Sequence, residues 1–189
     1  MSSIWALLFL ALSSVPYSFE SEKVTMTLDS TSVVVEGEYT FRNLTDERVE
    51  AYLYYPFPLD SADYPDEIIV EEADFNFTPR GIKLNFTIEP EGRKTIRVRY
   101  VQKLKSAYAR YILRSTRSWV QPLKEAYFKV SMPSVWKKIH ISIPLDEVEI
   151  SNGERTFSGT FSDFMPESDL IVRWSYGGID ESAEDQNRQ

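Results

Sequence analysis

The sequence predicts an all-β protein, an immunoglobulin-like antiparallel β-sandwich with room for a division into two packed sub-sandwiches. Three observations carry this. Apolar and polar residues alternate with a period of two in many short segments. Turn residues separate those segments. No stretch keeps an apolar period of 3.6 residues. Many short strands joined by regular turns bury their apolar faces by stacking as a sandwich or closing as a barrel.

The first element is not a strand. Residues 4–12, Ile-Trp-Ala-Leu-Leu-Phe-Leu-Ala-Leu, are nine uncharged and mostly bulky apolar residues beside the N-terminus. Small residues and a polar, strand-rich body follow. That is the layout of a secretory signal peptide, assigned to 1–18, with cleavage after Ala11-Leu12-Ser13 or near Ser18. The run is shorter than the ~20 apolar residues that span a bilayer. No transmembrane anchor is expected in the mature chain, which is placed outside the cell or at its surface.

The alternation then names strands in order. Val33, Val35, Tyr39 and Phe41 interleave with Glu36, Glu38, Thr40 and Arg42. Ala51, Leu53, Tyr55 and Phe57 form a second series. Leu84, Phe86 and Ile88 form a third, and Ile96, Val98 and Tyr100 a fourth. Phe128, Val130 and Met132 follow, then Ile139, Ile141 and Ile143, and last Leu170, Val172, Trp174 and Tyr176. Pro90-Glu91-Gly92 fits a three-residue hairpin loop that would set Phe86 opposite Ile96 and Leu84 opposite Val98. Thr78-Pro79-Arg80-Gly81 fits a type I turn. Together these predict a meander over about 75–101. The chain divides near Lys105: residues 19–105 form a β-sandwich domain and 106–177 a second β layer or subdomain. Residues 178–189, acidic and without large apolar side chains from Asp180 on, form a disordered tail.

Composition narrows the chemistry. There is no cysteine, so thiol catalysis and thiolate metal sites are excluded and the core must stabilise the fold unaided. His140 is the only histidine, which removes multi-histidine metal sites. No nucleophile elbow accompanies it. No cofactor is expected, and the formal net charge of −8 argues against nucleic acid.

Four features could carry function. Residues 92–124 hold ten Lys or Arg and no Asp or Glu, interleaved with aromatics. Within them Arg97, Arg99, Arg110 and Arg114 are the candidate basic face for a protein partner or an anionic surface or polymer of the cell envelope. The competing reading pairs these cations across strands with Glu67, Glu71, Glu72 and Asp74. Asn43, Asn76 and Asn85 head N-glycosylation sequons. Asp60, Asp63, Asp66 and Glu67 crowd one loop, where oxygen ligands could hold Ca²⁺, although the spacing matches no EF-hand. A pair of distant carboxylates could also serve carbohydrate hydrolysis, which is the enzymatic alternative.

Residues 33–59 carry a family resemblance. They run through a strand, Phe41-Arg42-Asn43, a polar turn, and a strand ending in Tyr55-Pro56-Phe57-Pro58. This opening resembles that of vault-inter-α-trypsin domains and of secreted immunoglobulin-like proteins of unknown function. The resemblance implies a β-sandwich engaged in protein or matrix interaction rather than catalysis. The sequence therefore points to an exported, non-catalytic interaction or structural module, with the carbohydrate hydrolase as alternative.

Overall fold

A computed structural model describes residues 15–114, 119 and 121–176. The apolar leader 4–12 and the acidic tail lie outside the described residues.

The described residues form thirteen strands. In chain order they are β1 (Tyr17–Leu28), β2 (Ser32–Asn43), β3 (Val49–Pro56), β4 (Glu67–Glu71), β5 (Asp74–Thr78), β6 (Gly81–Ile88), β7 (Arg93–Lys103), β8 (Tyr108–Tyr111), β9 (Leu123–Pro133), β10 (Lys137–Ile141), β11 (Asp146–Ser151), β12 (Glu154–Phe164) and β13 (Leu170–Ser175). They form a seven-stranded sheet ordered β11-β12-β9-β1-β2-β7-β4 and two three-stranded sheets, β10-β13-β8 and β3-β6-β5. The protein is an all-β sandwich, as the alternation requires. One buried cluster draws side chains from all three sheets, among them Phe41, Phe86, Tyr100, Phe128 and Val172. Each such side chain contributes about 1.5–3 kcal/mol through burial.

The arrangement differs from the expected one in three respects. An immunoglobulin-type sandwich divides its strands more evenly between two sheets; here seven share one sheet. The pairing is not wholly antiparallel, because β1 and β9 run parallel from Ser21↔Glu125 to Thr27↔Ser131. A parallel neighbour needs a long crossover, and the chain from β2 to β8 supplies it. Nor does the junction near Lys105 separate two sheets. It falls between β7 and β8, and the seven-stranded sheet takes β1, β2, β4 and β7 from one side of it and β9, β11 and β12 from the other.

The predicted pairing of Phe86 with Ile96 does not form. β6 pairs with β3 and β5, whereas β7 pairs with β2 and β4. Residues 89–92 carry the chain from one sheet to the other. Glu91, with φ 52°, takes the left-handed conformation expected of Gly92. Asn43 N–H donates to Gly92 O and Glu91 N–H to Thr45 O, so the crossing is tied to the β2–β3 turn. The apolar faces of β6 and β7 are buried as predicted, but from two different sheets into one shared cluster rather than side by side. The turn at 78–81 does close a hairpin, with Thr78↔Gly81 and Phe75↔Leu84 paired.

β1 is absent from the sequence-predicted strands for two visible reasons. Its inward series includes Glu22. A β-bulge between Phe19 and Ser21 also shifts the phase of the alternation and leaves Glu20 as the extra residue. Tyr17 and Ser18 already pair with Asn43 and Arg42, so this strand begins inside the 1–18 leader assignment.

Candidate functional site

β3 and β8 are edge strands of the two smaller sheets, and both border one cleft over β1 and β2 of the large sheet. The cleft has a volume of about 430 Å³, within the ~300–1,000 Å³ range of small-molecule sites. Its floor is Phe19 and Glu22 from β1 and Tyr39 and Phe41 from β2. Leu53 and Tyr55 of β3 form one wall; Tyr111, Ile112 and Arg114 form the other. Trp119 closes one end, with its ring 5.6 Å from Tyr17, 5.8 Å from Phe19 and 5.7 Å from Phe41 between centroids.

Three tyrosine hydroxyls join the sheets inside this cleft. The Tyr39 hydroxyl lies 2.8 Å from that of Tyr55 and 2.8 Å from that of Tyr111. One residue of β2 thereby links the two smaller sheets. Gly37 makes this possible. A Cβ there would sit 1.9 Å from the Tyr39 hydroxyl, so only glycine lets the ring lie back across its own strand. Burial raises Tyr39, Tyr55 and Tyr111 above the ordinary phenol range, and the negative charge of Glu22 adds to the rise. All three stay protonated and bridge as neutral donors and acceptors.

Glu22 is the unusual member. It stands opposite Tyr39 in the β1–β2 ladder and opposite Ala126 in the β1–β9 ladder. It is 3% exposed, and its Oε1 has no hydrogen-bond partner among the described residues. Desolvation pushes its carboxyl up to about 8, so it is mainly protonated at neutral pH. Asp169 holds Arg114 of the lining. Its Oδ1 accepts from the N–H groups of Leu113 and Arg114 at 3.1 and 3.0 Å, and its Oδ2 lies 3.4 Å from the Arg114 Nη2.

The predicted basic face does not assemble. Arg97 and Arg99 lie on the outer face of β7, opposite the buried Ile96, Val98 and Tyr100, as alternation requires. Arg110 is on β8 in another sheet and Arg114 lies beyond it. All four are paired with carboxylates. Arg97 lies 3.6 Å from Glu38 and 3.7 Å from Glu71; Arg99 lies 2.8 Å from Glu67 and 3.8 Å from Glu36. Arg110 lies 2.9 Å from Asp60, and Arg114 pairs with Asp169. Lys23, Glu38, Arg97 and Glu71 form a row of alternating sign across four strands. The cross-strand pairing weighed against the basic face is what forms.

The carboxylates of the acidic loop do not converge, for the same reason. Asp60, Asp63, Asp66 and Glu67 go separately to Arg110, Lys105, Lys103 and Arg99. Among the described residues no three His, Cys, Asp or Glu side chains gather where they could hold a metal. The acidic loop and the basic segment, each conspicuous in sequence, are one another's counter-ions.

The sequons separate too. Asn43 is 1% exposed. Its Nδ2 donates to the carbonyls of Glu47, Ile88 and Glu89, and its Oδ1 accepts from the N–H and hydroxyl of Thr45. That nitrogen has no room for a glycan in the folded chain; the Asn-x-Thr triplet builds a turn. Asn85 is half-buried on β6, and Asn76 is exposed on β5.

Sequence reasoning missed the cleft. Its one signal was Glu20 and Glu22, acidic residues in phase with the apolar series Val24, Met26 and Leu28.

No family model matches the sequence, and no curated protein is similar to it. Solved structures share its fold. A protein of Legionella pneumophila described as a "putative nutrient binding protein" superposes with a TM-score of 0.61 at 14% identity, over 83% of this chain and 66% of that one. An M1 zinc metallopeptidase of Deinococcus radiodurans superposes with a TM-score of 0.50 at 12% identity, over 85% of this chain and 43% of that one. The chain thus spans slightly under two thirds of the first protein and less than half of the second. These likenesses define the class, a three-sheet β-sandwich met in larger proteins.

Proposed function

We propose that the chain is an exported, non-catalytic binding module that takes a small organic ligand in the cleft between β3 and β8. One observation carries this reading: an aromatic-walled cavity of about 430 Å³ with a single carboxyl, Glu22, among its described lining residues. Ligand sites are concave, mostly apolar and furnished with a few polar groups that fix orientation. The paired cations withdraw support from an anionic surface or polymer as partner. Retaining and inverting glycoside hydrolysis both use two carboxyl groups ~5–10 Å apart, and the described residues of this cleft supply one. The fold shared with the Legionella protein, by its name a binder of nutrients, is in keeping with a ligand role. Export rests on the apolar leader at residues 4–12, and Asn76 is the sequon best exposed to accept a glycan.

The reading is tested by thermal-shift and NMR screening of small aromatic and aliphatic compounds against the wild type and a Leu53→Trp variant. Leu53 lines the cleft, so a larger ring there fills it. Compounds should bind the wild type, perturb resonances of Tyr39, Tyr55 and Trp119, and lose affinity in the variant. Binding that ignores the variant would move the site elsewhere. Amino-terminal sequencing of the chain recovered from the culture medium tests export.

A further inference from the structure

We propose that the ligand group taken by this cleft is an organic ammonium, held by the carboxylate of Glu22 against the faces of the surrounding aromatic rings. This rests on the reading of the cleft as a ligand site. Three observations lead to it. First, Glu22 Oε1 is fully buried and unpartnered among the described residues. A buried ionisable group with no partner destabilises a fold by several kcal/mol, and an apolar residue in its place would be better. Among the described residues nothing in the cleft repays that penalty, and a bound ligand would supply the missing partner.

Second, the tyrosine hydroxyls are already committed to one another through the Tyr55–Tyr39–Tyr111 chain. What the cleft still offers is ring surface from Phe41, Tyr55, Tyr111 and Trp119. Ring faces are electron-rich and attract a desolvated cation. Third, the charge balance admits a cation. Tyr39 of β2, Tyr55 of β3 and Tyr111 of β8 are the titratable groups that face Glu22 across the cleft, and β9 sets Ala126 beside it. Among the described residues of the lining the one basic side chain is Arg114, which pairs with Asp169. Among the described residues an entering ammonium finds one counter-ion without a partner and no unbalanced like charge.

A consequence separates this from ordinary apolar binding. The empty cleft keeps Glu22 protonated at neutral pH. An ammonium makes the ionised form the favoured one, so the carboxyl O–H breaks, its proton goes to solvent, and the ligand keeps its own charge. Binding should therefore release a proton.

The experiment is calorimetric titration of the full chain at pH 7, in two buffers of different ionisation enthalpy, with phenethylamine, benzyltrimethylammonium and 2-phenylethanol. At least one ammonium should bind about tenfold or more tighter than the alcohol and release about one proton, while the alcohol releases none. Preference for phenethylamine alone assigns a hydrogen-bonded primary amine, and preference for benzyltrimethylammonium alone assigns an aromatic cage. Glu22→Gln should bring ammonium and alcohol to within about twofold of one another. Equal binding of alcohol and ammonium by the wild type overturns the ammonium assignment and leaves the ligand cleft standing; this comparison needs no variant. A preference that survives Glu22→Gln also overturns it. If none of the three probes binds at millimolar concentration, both the assignment and the cleft reading fall.

Discussion

Glu20 and Glu22 lie two residues apart on one strand and are both buried, at 7% and 3% exposure, yet they meet opposite environments. Glu20, the bulge residue, turns to the rim. Arg93 Nε donates to it at 2.6 Å and Lys124 Nζ at 2.5 Å. Burial raises its carboxyl, but the hydrogen bonds and charges of Arg93 and Lys124 outweigh that and hold it below the usual range. Glu22 turns inward to rings and neutral hydroxyls, and nothing offsets its desolvation. The same contrast holds between the outer face of the large sheet, where charges of opposite sign alternate across strands, and the cleft, where one acid stands alone. A paired charge on the surface adds little to stability. An unpaired one inside costs much and is retained where it has a task.

The largest effect expected concerns the lone acid. Glu22 holds its proton more tightly folded than unfolded, since its carboxyl moves from a reference value of 4.5 to about 8. Its contribution is therefore neutral below pH 4.5, opposes folding increasingly as pH rises to about 8, and is constant above. Across that window the unfolding free energy should fall by up to about 5 kcal/mol relative to Glu22→Gln. Denaturant unfolding of both proteins at pH 5 and pH 8.5 measures it. Parallel pH profiles would mean that Glu22 has a partner after all and would end the comparison.

Asn43 sharpens the contrast from the other side. It is as buried as Glu22, yet every polar atom of its side chain is engaged. Asn43→Ala leaves the Ile88 and Glu89 carbonyls without this donor and should destabilise by about 3 kcal/mol at any pH, because no titratable group is involved. A pH-dependent loss would show that the β2–β3 turn is coupled to a carboxyl.

Gly37 tests the floor of the cleft. A methyl group there displaces the Tyr39 ring and breaks the hydroxyl chain that joins β3 to β8. Gly37→Ala should cost about 2 kcal/mol and weaken any ligand bound in the cleft, as unfolding and titration would show together. Unchanged binding would detach the cleft from the tyrosine bridge.

The smallest effect belongs to the outer face. Arg97→Ala and Arg99→Ala should each change stability by less than about 1 kcal/mol, and by less again in high salt. Neither the wild type nor Arg97→Glu/Arg99→Glu should bind anionic liposomes in a salt-dependent way. Strong salt-dependent binding by the wild type alone would restore these arginines as a site.

Much of this was legible in the order of residues. The period of two names the faces of β2, β3, β6, β7, β9 and β13 and so the all-β class, because successive strand side chains must point to opposite sides whatever the strand packs against. Pro79 and Gly81 place the β5–β6 turn. Alternation is silent on which edge meets which, since backbone ladders form between any two extended segments. So β6 and β7, read as a hairpin, lie in different sheets, and β1 receives a parallel neighbour from a hundred residues away in the chain. Charge runs were visible as runs, but whether Arg99 faces solvent or Glu67 depends on which strands flank it. The cleft was least visible of all. Glu22, Tyr39, Tyr55 and Tyr111 come from four strands, and only tertiary packing leaves the carboxyl of the first without a partner and ties the hydroxyls of the other three together, because burial and proximity arise from the whole fold and not from any one strand.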